Sequence, residues 1–231
     1  MIICHERRFI FVKSHKTAGT SVEIALAGLC GAGDVITKIS PQDEQTRREL
    51  GFRGPQNDLI PMRRYAGPDW TRLLRHGQRA RFRNHSTAQQ ISEHVDPEVW
   101  RSYFKFCFER NPWDKVVSAY FWHCSKGYTR SLSDYVLSGA ANKWSDFDQY
   151  SLKGEIVVDE VYRYEDLTQD LQRVYARLGA GEPPQLPRAK GGTRSDRRHY
   201  SQLLGDEERA KIARVYAREI AHFGYRFEAR D

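Results

Sequence analysis

The sequence predicts an α/β protein whose central parallel sheet is flanked by helices, and three observations carry that prediction. The apolar run Phe9-Ile10-Phe11-Val12 leads through a short polar loop into a helical pattern. Phe104-Lys105-Phe106-Cys107-Phe108 leads through Asn111-Pro112 into a second, and a candidate strand over residues 156 to 162 leads into a third. Strands alternating with helices bury both faces of a parallel sheet, so each strand reads as a continuous apolar run.

Taken in order, residues 8 to 13 read as a strand buried on both faces. After Lys13-Ser14-His15-Lys16-Thr17-Ala18-Gly19-Thr20-Ser21, the residues Val22, Ala25, Leu26 and Leu29 fall at helical spacing until Gly31 and Gly33. Residues 34 to 39 suggest a second strand. Pro41, Pro55, Pro61 and Pro68 interrupt any long element between 40 and 84, where loops and short helices are expected. Residues 87 to 95 read as a helix, and Asp96-Pro97-Glu98 starts another, the aspartate as cap and the proline in the first turn. Leu167, Leu171, Val174 and Leu178 mark a helix closed by Gly179, and a final helix carries Ile212, Val215, Tyr216 and Ile220.

A length of 231 residues suits one domain, 1–231, in which 40–84 reads as an irregular insertion. The 37 Lys+Arg against 30 Asp+Glu give a net charge of +7, and 40–84 holds 10 Arg against 5 Asp+Glu. Most of the basic excess is therefore in that fifth of the chain, which suits a polyanionic ligand or a solvated arginine-rich face. No 18-residue apolar stretch or signal-peptide pattern occurs, so a cytoplasmic protein without stable membrane insertion is expected. Cys4, Cys30, Cys107 and Cys124 are scattered without a CxxC pair, which points to reduced thiols and no zinc site.

The loop after the first strand carries the most chemistry. A usual phosphate loop, G-x-x-x-x-G-K-[ST], has its lysine after the last glycine and a magnesium-binding hydroxyl beyond it. Here Lys16 precedes Gly19, which disfavours a magnesium-dependent nucleoside triphosphatase. A strand, a tight cationic loop and a helix starting near Gly19 remain, a P-loop-like cradle whose free N–H groups can take an anion. Arg110 ends the strand that begins at Phe104, and Ser118 lies seven residues after Asn111, about two helical turns on, facing the same side. Lys16 and Arg110 both fall at the carboxyl ends of strands, where α/β folds bind ligands.

Lys16-Thr17-Ala18-Gly19-Thr20-Ser21 resembles the 5′-phosphosulfate loop of sulfotransferases that use 3′-phosphoadenosine-5′-phosphosulfate (PAPS). Arg110-Asn111-Pro112-Trp113-Asp114-Lys115-Val116-Val117-Ser118-Ala119-Tyr120 resembles their 3′-phosphate motif, most like the carbohydrate branch that includes heparan and chondroitin sulfotransferases. Tyr164-Glu165-Asp166-Leu167 and Phe223-Gly224-Tyr225 resemble later landmarks of that family, so the likeness spans nearly the whole chain, 40–84 least.

The resemblance implies transfer of a sulfuryl group from PAPS to a hydroxyl or amine of a carbohydrate or glycoconjugate, by in-line displacement and without a metal. Lys16 would contact the bridging oxygen and 5′-phosphate, with Thr17, Ala18, Gly19, Thr20 and Ser21 forming the loop; Arg110 and Ser118 would bind the 3′-phosphate. Tyr164 would meet the adenine, and Lys190 and Arg194 would close over the 3′-phosphate, although Lys190-Gly191-Gly192-Thr193-Arg194 departs from the cytosolic branch's Arg-Lys-Gly pattern. An attacking hydroxyl must lose a proton. His85, in Asn84-His85-Ser86-Thr87-Ala88, resembles the branch's histidine between the two nucleotide motifs and is the expected base, with His15 its rival. Two other readings stay open: a nucleotide or sugar kinase using ATP and magnesium, and a non-catalytic binder of polyanions or nucleic acid through 40–84. The first reading needs no nucleic-acid partner.

Overall fold

The computed structural model describes residues 1–187 and 194–228. In chain order its strands are β1 (Ile2–Cys4), β2 (Phe9–Phe11), β3 (Val35–Ile36), β4 (Phe104–Glu109), β5 (Ser151–Leu152), β6 (Glu155–Ile156) and β7 (Glu160–Arg163). Five of them form the main sheet in the order β3-β1-β2-β4-β7, while β5 and β6 pair as a separate antiparallel hairpin. The helices are α1 (Gly19–Ala27), α2 (Pro41–Glu49), α3 (Gly67–His76), α4 (Ala88–His94), α5 (Pro97–Ser102), α6 (Pro112–Cys124), α7 (Leu132–Leu137), α8 (Phe147–Tyr150), α9 (Leu167–Arg177), α10 (Asp206–Val215) and α11 (Ala217–Phe223).

The sheet is mostly parallel. β2 pairs in parallel with β4, and β4 with β7, but β1 runs antiparallel to both β2 and β3. The expectation of a wholly parallel sheet is corrected there. His5 to Arg8 turn the chain back, with Arg8 at φ 54°, so the short run Ile2-Ile3-Cys4 becomes an inner strand of the sheet. Asp34 fixes that turn by accepting from the N–H groups of His5 (2.6 Å) and Gly31 (2.7 Å).

Alternating side chains bury both faces, as period-two strands require. Ile3, Ile10, Val12 and Cys107 pack on one face with Ala88 and Ile91 of α4. Phe9, Phe11, Phe106 and Phe108 pack on the other with Val22 and Leu26 of α1 and Leu171 and Val174 of α9. A third cluster joins α6, α7 and α10 through Val116, Val117, Tyr135, Ile212 and Tyr216.

Helix starts follow the local chemistry. Asp96 accepts from Glu98 N and Asn111 from Trp113 N, each with proline at the first helical position. Gly179, at φ 62°, lies just past α9. Three boundaries differ from expectation. Residues 156 to 162 divide between β6 and β7, because Asp159 N bonds Lys105 O (2.8 Å) and redirects the chain onto the main sheet. Only Val35–Ile36 of 34–39 is strand, and the final helix breaks into α10 and α11 at Tyr216, whose hydroxyl donates to Ala141 O (2.7 Å).

Candidate active site

The loop after β2 is built on a buried charge cluster. Lys13 turns inward, its Nζ 2.8 Å from Glu23 Oε2 and 2.9 Å from Asn84 Oδ1. Arg47 of α2 meets the other Glu23 oxygen at 3.3 Å, and all three side chains are buried. Burial works to raise the Glu23 carboxyl, but Lys13 and the other cations around it prevail and hold it at about 2. Lys13 is thereby committed to the fold. Ser14 Oγ lies 2.9 Å from Thr17 Oγ1 and donates to Phe108 O, pinning the loop to β4.

Lys16 and Ala18 both adopt positive φ, 61° and 55°, so the backbone winds tightly into α1. Ala18 is the N-cap residue, and no side chain among the described residues caps the helix. The first-turn N–H groups of α1 are thus placed to meet an anion. Gly19 is required by close approach: a Cβ there would lie 2.9 Å from Lys13 Cγ and 3.2 Å from Lys13 Cε, on a side chain that Glu23 and Asn84 hold in place. Gly19→Ala is expected to destabilise by about 1–3 kcal/mol despite alanine's higher helix propensity. A thermal melt with an unchanged or raised midpoint would show that Lys13 yields.

The second motif closes on the first. Arg110 Nη1 donates to Lys16 O (2.9 Å), while its Nε and Nη2 both reach Asp114 Oδ2 (2.8 and 2.6 Å). Asp114 Oδ1 also holds Arg194 Nη1 at 3.2 Å. Ser118, half-buried on α6, follows Asp114 by one helical turn, so the two arginines and this hydroxyl border the same helix face. Tyr164 stacks on the Arg110 guanidinium, 4.1 Å from ring centroid to Cζ. Glu165 accepts from Asn111 N (2.7 Å) and Tyr225 Oη (3.4 Å), which draws the two late landmarks onto the start of α6.

His15 and His85 stack on the remaining side, ring centroids 4.0 Å apart and planes at 11°. His85 Nδ1 lies 2.9 Å from Lys13 O; a carbonyl only accepts, so Nδ1 carries the hydrogen. Burial, then His15 and Lys13, push His85 down to about 3. His15 Nδ1 lies 2.6 Å from Asp146 Oδ1, and Asp146 Oδ2 accepts from His15 N at 2.6 Å. Lys115 of α6 joins Asp146 (2.6 Å) to Glu109 (2.7 Å), which in turn takes the Tyr150 hydroxyl (2.9 Å). Burial opposes the Lys115 cation, but Asp146 and Glu109 together hold it well above the ordinary lysine range. Lys16 Nζ lies 5.5 Å from the Trp122 ring centroid, beside this group.

The structure therefore brings Lys16, Gly19, Arg110, Ser118, Tyr164, Arg194, His15 and His85 to one end of the sheet. Thr17 is buried with its hydroxyl turned to Ser14, and Thr20 and Ser21 are buried in the first turn of α1. Lys190 lies outside the described residues. Sequence reasoning missed Asp114, which the i, i+4 spacing from Arg110 could have flagged, and Asp146, whose link to His15 spans 131 residues and left no local signal. It also kept the cysteines apart, whereas the fold sets Cys4, Cys30 and Asp34 within 4.8 Å of one another. The Asp34 oxygens there already accept N–H groups and the Cys4 thiol (3.2 Å), so this cluster reads as the clip of the β1 turn. A cavity of about 630 Å³ is bordered by Ile3, Val35, Phe82, His94 and Val99, and none of the motif residues lines it.

Loop, arginine pair and histidine pair thus meet at one end of the sheet. The chain matches the sulfotransferase family over residues 1–226 and belongs to it. A protein of Archaeoglobus fulgidus described only as uncharacterized is 34% identical over 100 residues, which are 41% of this chain and 83% of that protein. A sulfotransferase from Alicyclobacillus acidocaldarius, known from its crystal structure, overlays with a TM-score of 0.42 at 14% identity, covering 94% of this chain and 96% of that one.

Proposed function

We propose that this sulfotransferase-family chain, acting as one domain, moves a sulfuryl group from PAPS to a hydroxyl or amine of a carbohydrate or glycoconjugate. The observation that carries the proposal is the bond from Arg110 to the Lys16 carbonyl, which joins the two nucleotide motifs into one site. Lys16 and the start of α1 suit the 5′-phosphosulfate; Arg110, Ser118 and Arg194 suit the 3′-phosphate, and Lys190 is proposed to join them. Tyr164 would meet the adenine from its place on Arg110. A sulfuryl group carries less charge than a γ-phosphoryl group, so a lysine and N–H donors can stabilise the transition state without a metal.

The acceptor is proposed to arrive from 40–84. Arg72, Arg79, Arg81 and Arg83, with Leu59 and Gln78, border a recess of about 430 Å³, and Arg83 lies two residues before His85. That lining suits a hydroxyl-rich, anionic glycan. A cytoplasmic setting belongs to the same proposal and is supported by four free thiols. No helix of the described residues is long and apolar enough to cross a membrane.

Isothermal titration provides the test. Adenosine 3′,5′-bisphosphate is expected to bind without magnesium and more tightly than ATP with magnesium; the reverse order would favour the kinase reading. Arg110→Ala is expected to weaken bisphosphate binding by roughly 10- to 100-fold, the worth of charge-assisted hydrogen bonds of about 1.5–3 kcal/mol. An unchanged affinity would remove Arg110 from the 3′-phosphate site.

A further inference from the structure

We propose that His15, held by Asp146, takes the acceptor's proton, and that His85 is its neutral stacking partner. The inference rests on the sulfuryl-transfer reading and names the base within it. Both imidazoles carry their hydrogen on Nδ1 and so present a lone pair at Nε2, because Lys13 O and the Asp146 carboxylate can only accept. What separates them is where a new positive charge would rest. On His85 it would face only a carbonyl oxygen, among His15, Lys13 and the amino terminus of Met1. On His15 it would lie 2.6 Å from a buried carboxylate.

Lys115 is shared between Asp146 and Glu109, and burial raises the Glu109 carboxyl to about 7, so Asp146 is the carboxylate against which a proton on His15 would rest. Asp146 also bonds the His15 backbone N–H, fixing the ring relative to the next residue, Lys16. His15 keeps 26% of its side chain exposed while Asp146 keeps 2%, which leaves the base reachable and its partner screened from water. This is the base-and-orienting-carboxylate arrangement that general-base catalysis uses.

In the step itself, the acceptor oxygen forms a bond to sulfur as the bond from sulfur to the bridging oxygen breaks. The electron pair leaves on the 5′-phosphate of adenosine 3′,5′-bisphosphate, beside Lys16. The acceptor proton passes to His15 Nε2, and the imidazolium, paired with Asp146, later releases it to solvent. Asp146 is a positioning residue; the charged groups around His15 are Asp146, Lys115 behind it, Lys13 and Lys16 on its own loop, and His85 stacked upon it.

The test uses PAPS alone, with water as the acceptor and sulfate as the product, together with titration of adenosine 3′,5′-bisphosphate. His15→Ala and His15→Gln, the second retaining a donor for Asp146, are expected to lower turnover by roughly 10²- to 10⁴-fold with bisphosphate affinity kept within about 3-fold. His85→Phe, which keeps a stacked ring, is expected to lose less than about 10-fold. Asp146→Asn is expected to lower the plateau of the pH–rate profile and move its acidic limb to lower pH, since the imidazolium loses its counter-charge. Histidine ¹⁵N spectra give a readout apart from turnover: His85 should stay neutral from pH 8 to about pH 5, with its proton on Nδ1. Turnover retained in both His15 variants, abolition by His85→Phe, or proton uptake by His85 above about pH 6 would overturn the assignment. A wild-type protein that binds no bisphosphate would overturn the sulfuryl-transfer reading, and this assignment with it.

Discussion

Lys16→Ala is expected to lower sulfuryl transfer by roughly 10²- to 10³-fold, the usual cost of removing one preorganised donor to developing charge. Negative charge grows on the bridging oxygen as the bond to sulfur breaks, and a donor fixed there before the reaction needs no reorganisation. The loop supplies that fixity. Lys16 sits at φ 61°, its carbonyl held by Arg110, with Lys13 and Ser14 anchored just before the turn. Bisphosphate binding should fall less than turnover, because Lys16 gains most of its interaction in the transition state. Rapid-quench turnover of PAPS compared with bisphosphate titration separates the two effects. Turnover within a few-fold of wild type would transfer the role elsewhere in the loop.

Glu23→Gln is expected to cost about 3–5 kcal/mol of folding stability, because it removes the carboxylate from Lys13, Arg47 and the amino group of Met1, all buried, and leaves them short of a partner. Lys13 and Arg47 are as buried as Glu23 and have no route to water without opening the β2 loop and α2. The pH dependence gives an independent figure. Glu23 is held at about 2 against an ordinary 4.5, a depression worth on the order of 3 kcal/mol. A depressed carboxylate stabilises fully above 4.5, and that contribution drains away as pH falls from 4.5 towards 2. His85, lowered to about 3 from 6.5, adds an earlier loss with the same sign, since the unfolded chain takes up its proton first. Urea melts between pH 7 and pH 3 should show the wild type weakening in two stages and Glu23→Gln lacking the second. Equal midpoints at neutral pH would mean that the buried cations find other partners.

The sequence made the site's two strand-to-helix turns legible because each is a local object. The apolar run at Phe9, the break at Gly19 and the Asn111-Pro112 cap lie within a dozen residues of the motif they position, and local chemistry fixes them. The antiparallel β1 was hidden because three apolar residues before a charged turn carry no periodicity; its partners β2 and β3 decide its direction. Lys13 and Lys16 look alike in the string, and only the fold buries the first against Glu23. The partner of His15 was invisible for a related reason: Asp146, and Lys115 behind it, come from segments whose order along the chain says nothing of their meeting.

Asp114 sets a threshold on what can bind beside it. Its two oxygens already hold Arg110 and Arg194, so an incoming anion competes with a carboxylate for both guanidinium groups. A singly charged anion offers those arginines no more than Asp114 does and has little to gain by entering. A phosphate monoester, doubly charged and with three terminal oxygens, can outbid the carboxylate and engage both arginines at once. Under the sulfuryl-transfer proposal, the aspartate that steadies the two cations would also discriminate among anions, favouring a nucleotide with a terminal 3′-phosphate over one with a bare ribose.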